Sequence, residues 1–355
     1  MTARRVALLL LGGVVLVVFA IWLASQRHLE HATLSGDLVL PGLEHSVNAV
    51  SEVDLHRGDG TRVTLKRQAG GWLVGERAWP AESSKVRKLL LDLGALNVVE
   101  EKTRLPANYA QLGVDDVTTP KATGTEIDVV TPGRTFALIA GHTSSGKSGY
   151  VRVQGTAPSL LAAPLLTPDA DPKTWLERSL VDLPVARVRE VEAKPAEGPG
   201  YAATRAKKEA PDFTVAPVPK GRQLTGPGAA DSMAAALAGL TLEDVQKGTA
   251  PADAKVSHAV YRTFDGLELE VTGRKDGART LIALGARSLG ADTAAEAQRL
   301  NARLSGWEFE VPEYKYSAIF RSLEELLKPR EEPKQPAKKT TGKPPVASPA
   351  KPSAK

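Results

Sequence analysis

The 355-residue sequence contains no cysteine. Disulfide frameworks, cysteine-ligated zinc or iron–sulfur centres and thiol catalysis are therefore excluded. The H-E-x-x-H and G-x-S-x-G motifs are also missing, so zinc-protease and serine-hydrolase chemistry lack their sequence signatures. The remaining composition, with 42% hydrophobic and 25% charged residues, is typical of a globular protein.

Positive charge is concentrated at the C-terminal end of the chain. The formal net charge is +5; residues 329–355 hold seven Lys/Arg and two Glu, whereas the other residues carry 39 charges of each sign. The pI near 9.2 therefore gives no indication of a nucleic-acid partner. Seven prolines and few large apolar side chains predict a disordered tail over the same residues. Two interpretations stay open, a solubilising tail and a cationic tether for cell-wall polymer or anionic lipid.

One apolar stretch predicts a membrane anchor. Residues 6–24 contain no charge, and an α-helix of that length spans about 28 Å, close to the hydrocarbon thickness of a bilayer. A cleaved signal peptide is the alternative, but Trp22 stands where a cleavage site needs a small residue. Arg4 and Arg5 precede the stretch, so residues 1–5 are expected in the cytoplasm. We therefore expect a single-pass protein of the bacterial inner membrane with its bulk in the periplasm.

After a juxtamembrane linker, residues 25–49, the chain repeats one unit at residues 50–184 and 185–328. Each unit combines short alternating segments, typical of antiparallel strands, with a leucine-rich stretch of helical periodicity. A constant offset of 144 residues relates Leu93 to Leu237, Leu96 to Leu240, Val98 to Leu242 and Gly141 to Gly285. The predicted fold is α+β: an N-terminal transmembrane helix, two tandem repeats that are each an antiparallel sheet with packed helices, and a disordered tail.

Three apolar stripes at helical spacing predict helices near residues 86–96, 229–240 and 316–327. We assign these stripes to the protein core rather than to a ligand surface. Residues 291–305 are interpreted as an insertion that delays the last strand of the second unit.

An ordered series of short motifs carries a family resemblance. The motifs are Gly71-Trp72, Trp79-Pro80, Tyr109-x-x-Leu112-Gly113, Gly149-Tyr150-Val151-Arg152 and Trp175-Leu176-Glu177-Arg178-Ser179-Leu180. Over about residues 50–328 the chain resembles domain of unknown function 4340. The resemblance implies a single-pass bacterial protein, often encoded beside gliding-motility-type ABC exporters and their auxiliary subunits. It implies no catalytic residues, and Phe213 departs from the pattern where the second unit should have tryptophan.

The segment Gly141–Ser148 spells the phosphate-loop motif G-x-x-x-x-G-K-S after an apolar strand. In a nucleotide site, Gly146 and Lys147 would open a helix whose free amides hold phosphate, and Ser148 would bind magnesium. Residues 149–155 instead alternate with a period of two and favour a strand. The equivalent position of the second unit also lacks the Lys-Ser pair. We therefore interpret the segment as a six- or seven-residue hairpin connection, and no cofactor site is assigned.

Other candidate ligand sites are weaker. His28 and His31 lie close in sequence but have no evident third metal ligand, so no metal site is assigned. Four tryptophans offer a possible carbohydrate platform, although strand-like surroundings favour core packing for Trp72 and Trp307.

We expect no enzymatic activity. The expected function is a membrane-anchored periplasmic scaffold or accessory subunit of an ABC-type export complex, with a transporter permease or auxiliary subunit as partner. An envelope module that binds glycan or peptidoglycan is the alternative, and an NTPase that uses the Gly141 segment is a more distant one.

Overall fold

Two large antiparallel sheets make up most of the protein in the computed structural model, which describes residues 36–248 and 254–329. The first sheet contains β1 (Glu52–Arg57), β2 (Arg62–Gln68), β3 (Gly71–Val74), β4 (Trp79–Pro80), β5 (Asn97–Thr103), β6 (Thr125–Thr131), β7 (Arg134–Ser145), β8 (Ser148–Val153) and β9 (Ser159–Ala163). A separate pair joins β10 (Ser179–Val181) to β14 (Leu240–Thr241). The second sheet contains β11 (Val188–Lys194), β12 (Tyr201–Thr204), β13 (Thr214–Ala216), β15 (Asp244–Lys247), β16 (Ser257–Thr263), β17 (Leu267–Asp276), β18 (Arg279–Ser288) and β19 (Trp307–Glu310).

Both sheets have the same strand order. The first runs β4-β3-β2-β1-β6-β7-β8-β9-β5 and the second runs β13-β12-β11-β16-β17-β18-β19-β15. Apart from β4, every strand of the first sheet therefore has a counterpart ten numbers later in the second. This order corrects the predicted pairing of Gly141 with Gly285, because Gly141 lies in β7 whereas Gly285 lies in β18, the counterpart of β8. The offset of 144 fails there because the connections between strands differ in length.

The predicted α+β class is wrong, because the described residues are mostly β. The α-helices are α1 (Leu43–Ser46), α2 (Ser83–Gly94), α3 (Tyr109–Leu112), α4 (Asp231–Ala234), α5 (Ala294–Leu304), α6 (Glu313–Ile319) and α7 (Leu323–Leu326). Short 3₁₀ helices occupy Val47–Ala49, Pro106–Asn108, Pro172–Trp175, Val185–Arg187 and Ala291–Thr293. Only α2 and α5 exceed seven residues within the described ranges.

Two predicted helices are interrupted for identifiable reasons. The stretch 229–240 forms only the four residues of α4, followed by turns that end at Gly239 with φ +53°. The stretch 316–327 is divided because Ser322 has extended backbone angles and caps a new helix, in which its side chain and Glu325 form a capping box. In both stretches the apolar residues at helical spacing are largely buried, but the backbone does not form one continuous helix.

Among the residues that the structure describes, no helix is long and apolar enough to cross a membrane. The predicted transmembrane helix at residues 6–24 lies outside the described residues. The same is true of residues 1–5 and of the predicted tail from residue 330 onward.

One continuous hydrophobic cluster joins the two sheets. It includes Val53 and Leu55 of β1, Leu90 of α2, and Val191 and Leu269 of the second sheet, all of them buried. Antiparallel strands with one apolar face bury that face against the rest of the molecule, as the alternating burial along β2 and β16 shows. The two sheets therefore share a core.

Tyr261 of β16 provides a test of how the second sheet holds α4. Its ring is fully buried and its hydroxyl donates a hydrogen bond of 3.0 Å to the Met233 carbonyl oxygen. Tyr261→Phe should lower the free energy of unfolding by about 1 kcal/mol, because that carbonyl loses one of its two donors and keeps the Ala236 N–H. Urea denaturation measures the change, with the exposed Tyr314→Phe as a control that should have little effect. Equal unfolding midpoints for the two variants would contradict this role.

Candidate functional site

The Gly141–Ser148 segment forms the tip of a β-hairpin. Strand β7 continues through Ser145 with two register shifts and β8 begins at Ser148, so the turn consists of Gly146 and Lys147 alone. The turn is shorter than the six or seven residues predicted, because the polar residues after Gly141 still pair with β8. The hydroxyls of Ser145 and Ser148 lie 2.8 Å apart. A strand, rather than a helix with free amides, follows Lys147, so the geometry that holds phosphate is not formed at this position.

Gly141 is required for close packing. A Cβ atom at this position would lie 2.3 Å from the Leu112 carbonyl oxygen and 2.9 Å from that of Gly113. A Cβ atom at Gly285, by contrast, would meet nothing within 4 Å. Gly141 therefore allows the segment that contains the Tyr-x-x-Leu-Gly motif to lie directly on β7.

Buried Arg152 connects two of the sequence motifs. Its Nε donates to the Val114 carbonyl oxygen at 2.8 Å, and its guanidinium also forms an ion pair with Asp116. The guanidinium carbon lies 4.8 Å from the centroid of the Tyr109 ring. The hydroxyl of Tyr109 donates to the Ala157 carbonyl oxygen. The Tyr-x-x-Leu-Gly and Gly-Tyr-Val-Arg motifs are thus two halves of one packed cluster, which explains them structurally without a ligand.

A second polar cluster joins the turn after β3 to the terminal strand of the second sheet. Nε and Nη2 of Arg77 donate to the two carboxylate oxygens of Asp244 at 2.6 and 3.1 Å. Lys173 lies 3.3 Å from the same carboxylate and 3.9 Å from that of Glu310. We call this group, together with Trp79, the junction. It was missed in the sequence because the charged residues that form it are far apart along the chain.

Trp79 is the apolar part of the junction. Its ring contacts Trp307 and Phe309 of β19 edge-on, with centroid separations of 5.4 and 5.2 Å. The indole N–H donates to the Glu177 carbonyl oxygen at 3.0 Å, and the side chain is 1% exposed. An aromatic ring from the first unit therefore closes one end of the core of the second.

The junction also determines the ionisation of its acid. Burial acts to raise the pKa of the Asp244 carboxyl, but the hydrogen bonds from Arg77 and from the Val245 amide outweigh it and hold this pKa below its usual value. The same hydrogen bond raises the pKa of Arg77, against the effect of burial. Both groups are charged at neutral pH, as a structural ion pair requires.

The tryptophans proposed as a carbohydrate platform are mostly buried. Trp72, Trp79 and Trp175 are each less than 9% exposed, and Trp307 lies beneath the ammonium group of Lys247 at 3.5 Å. The Trp175 indole N–H donates to the Asp169 carbonyl oxygen at 2.7 Å. A stacking platform needs open ring faces, which these side chains do not share.

Acidic side chains gather on the face of the first sheet opposite the apolar one. Asp54 and His56 of β1 lie directly across from Asp128 and Glu126 of β6. Burial raises the pKa of Glu126, although His56, 3.5 Å away, opposes that shift. In the ranges 36–248 and 254–329, no group of three or more His, Asp or Glu side chains is arranged to hold a metal ion. This cluster therefore gives no metal centre among the residues described.

One cavity of the second unit is lined by side chains that form ion pairs. A cavity of about 640 Å³ beside Tyr316 contains Lys255 and Lys275. These two side chains form ion pairs with Glu197 at 3.0 Å and Glu313 at 2.9 Å, respectively.

The outer edge of β5 is only partly paired. Strand β5 ends the first sheet, and residues 36–39 form backbone hydrogen bonds with it only at Leu96–Val98. Beyond that pairing, Val99 is 45% exposed. Among the described strands, none pairs with the outer edge of the remaining part of β5.

A family model described as Domain of unknown function (DUF4340) matches residues 72–259 of the chain, from the Gly-Trp strand of the first unit into β16 of the second. No curated protein and no solved structure matches the chain.

Alanine substitutions at two glycines separate packing from phosphate binding. Gly141→Ala should lower the free energy of unfolding by about 1–3 kcal/mol or more, because the added methyl group meets the backbone of α3 and Gly113. Gly146→Ala should be neutral or slightly stabilising, because a Cβ there meets nothing within 4 Å. Chemical denaturation of both variants measures the difference. A phosphate loop would instead need both glycines, so equal sensitivity at the two positions would contradict the packing role.

Asp244→Asn tests the junction by its pH dependence. Because the pKa of Asp244 is lower in the folded than in the unfolded state, its stabilisation is present at neutral pH and is lost as the pH falls through the folded-state pKa. The variant should be less stable by about 1–3 kcal/mol at pH 7, and the deficit should shrink below about pH 4. Thermal unfolding across pH gives the measurement, with exposed Glu270→Gln as the matched control. A deficit that stays constant on acidification would exclude the ion pair as its source.

Proposed function

Because the chain belongs to the Domain of unknown function (DUF4340) family, we propose that it acts as a non-catalytic scaffold or accessory subunit of an ABC-type export complex. The family resemblance supports this proposal, since such proteins are often encoded beside gliding-motility-type exporters. The partner is then a transporter permease or an auxiliary subunit of the same complex.

The observation that carries the proposal is the contrast between the clusters and the sheet edge. At the Arg152 cluster and the junction, the two arginines form ion pairs within the protein: Arg152 with Asp116 and Arg77 with Asp244. The outer edge of β5, by contrast, has no partner strand beyond Val98 in the described part of the chain. Such an arrangement suits a protein that binds another protein better than one that transforms a small molecule.

The proposed location is the bacterial inner membrane. The uncharged residues 6–24, preceded by Arg4 and Arg5, support an anchor with residues 1–5 in the cytoplasm and the two sheets in the periplasm. The basic residues 329–355 would then reach toward anionic envelope polymers or lipid headgroups. In this location the Gly141 segment faces a compartment without free ATP.

Purification of the full chain from native membranes tests the proposal. We expect a permease or auxiliary subunit of an ABC exporter to copurify in a fixed ratio, as measured by quantitative mass spectrometry. Lys147→Ala should leave the ratio and the transport phenotype unchanged, because Lys147 lies in the hairpin turn.

A chain that lacks residues 329–355 serves as the second arm. It should retain the exporter subunits while losing any retention on isolated cell-wall sacculi. Recovery of no exporter subunit, together with tail-independent retention on sacculi, would replace the export proposal with a glycan-binding one.

A further inference from the structure

The terminal strands of the two sheets occupy equivalent positions but have different surroundings. Strands β5 and β15 each lie beside the strand that ends their unit, β9 and β19. Both are preceded by a short segment that is covered on its outer edge. In the first unit Val39 N–H donates to the Leu96 carbonyl oxygen, and in the second Leu242 N–H donates to that of Arg178. The offset of 144 holds here and makes Glu100 the counterpart of Asp244.

Inside the chain, the β15 position is already occupied. The turn after β3 reaches Asp244 through Arg77, and Trp79, two residues later, packs on Phe309 of the neighbouring strand. The second unit thus receives a reverse turn that presents an arginine to the first acid of the terminal strand and an aromatic ring beside it.

Strand β5 has the equivalent acid, Glu100, but no turn among the described residues presents an arginine to it as Arg77 does to Asp244. The Glu100 side chain is 43% exposed, and its ion-pair partner is Lys102 at 2.6 Å, on the same strand. An exposed pair of this kind contributes little to stability, so an incoming guanidinium can replace Lys102 at little cost. Val99 offers apolar surface next to this acid and is 45% exposed.

A second copy of this chain does not supply the missing turn. The counterpart of Arg77 in the second unit is Lys220, because the bridge of Ala81 with Leu176 corresponds to that of Leu224 with Leu327. The residue two positions later is Arg222 instead of an aromatic, and it already bonds Glu324 at 2.8 Å. The chemistry of the occupied position therefore points to a different protein.

We propose that the outer edge of β5, residues 99–103, binds a reverse turn or hairpin of a partner protein that places an arginine on Glu100 and an aromatic side chain on Val99. This inference rests on the proposed scaffold function for the existence of a partner and adds the surface and its chemistry. Main-chain pairing along the open edge would add to the side-chain contacts.

Site-specific photocrosslinking in membranes that contain the full chain tests the surface. The photoreactive residue p-benzoylphenylalanine is placed at Val99 and, as a control, at Leu289, which is 53% exposed in the second unit. We expect a discrete crosslink from position 99 and not from position 289. Mass spectrometry of the crosslinked peptide should identify a turn with an arginine and an aromatic residue.

Charge reversal supplies the second arm. Glu100→Arg should abolish the crosslink from position 99, whereas the matched control Glu270→Arg, at an exposed acid in the middle of the second sheet, should retain it. Urea denaturation of both variants establishes that the fold is kept, and Glu100→Gln, which cannot repel an arginine, should weaken the crosslink without abolishing it.

The inference is overturned by a crosslink to a second copy of the chain, by equal crosslinks at the two positions, by none at position 99, or by insensitivity to Glu100→Arg. Copurified exporter subunits that persist in the Glu100→Arg variant would reject this surface while leaving the export proposal intact. A crosslink from position 99 to a turn of a protein that is not an exporter subunit would support this surface and reject the export proposal.

Discussion

The burial of Trp79 at the junction is the contact on which the two-sheet arrangement depends. A β-sheet that ends in a short strand leaves both the edge of that strand and the end of its core open to water. In the second unit, the ring of Trp79 covers the core beside Phe309, while Arg77 neutralises Asp244 in a partly buried setting. A buried ion pair alone gives little net stability, because removing two charges from water is costly. The contact of Trp79 with Phe309 buries apolar surface at the same place and stabilises the turn after β3 there. The ion pair of Arg77 with Asp244 then fixes the orientation of that turn.

The sequence motifs acquire a physical meaning through the same kind of close contact. Gly141 is small because the Leu112 carbonyl oxygen approaches it, and Arg152 is buried because it satisfies the carbonyl oxygen of Val114 beside Tyr109. In the sequence alone, a motif glycine and a motif arginine suggest a ligand-binding or catalytic site. In the folded protein they hold a long loop on the face of a sheet. The phosphate-loop motif results from this packing and from a hairpin: Gly141 leaves room for the loop, Lys147 lies in the hairpin turn and Ser148 begins β8.

Prediction from the sequence succeeded where a pattern is local. The leucine stripe of Val86–Leu93 is a helix, and the alternating segments after Gly124 are strands. It failed where the local conformation or a contact depends on residues that are distant in the sequence. Residues 229–240 have apolar residues at helical spacing, but small side chains buried on several sides allow turns after α4. The ion pair of Arg77 and Asp244 joins residues 167 positions apart, and no spacing rule reports such a pair. The sequence Arg77-Ala78-Trp79-Pro80 gave a partial indication of the junction, because it places a cation two residues before the tryptophan.

By itself, the sequence determined the family, the presence of antiparallel strands in two repeated units, and the uneven charge, because these properties depend on residue type and near neighbours. Tertiary structure alone decided which strands are equivalent, because loop lengths differ between the units and a constant offset cannot follow them. It also decided that a turn of the first unit contacts the terminal strand β15 through Arg77, whereas no described strand pairs with the outer edge of β5 beyond Val98. The edge of a strand is covered or open according to what another part of the chain places beside it, and that placement is a property of the packed molecule.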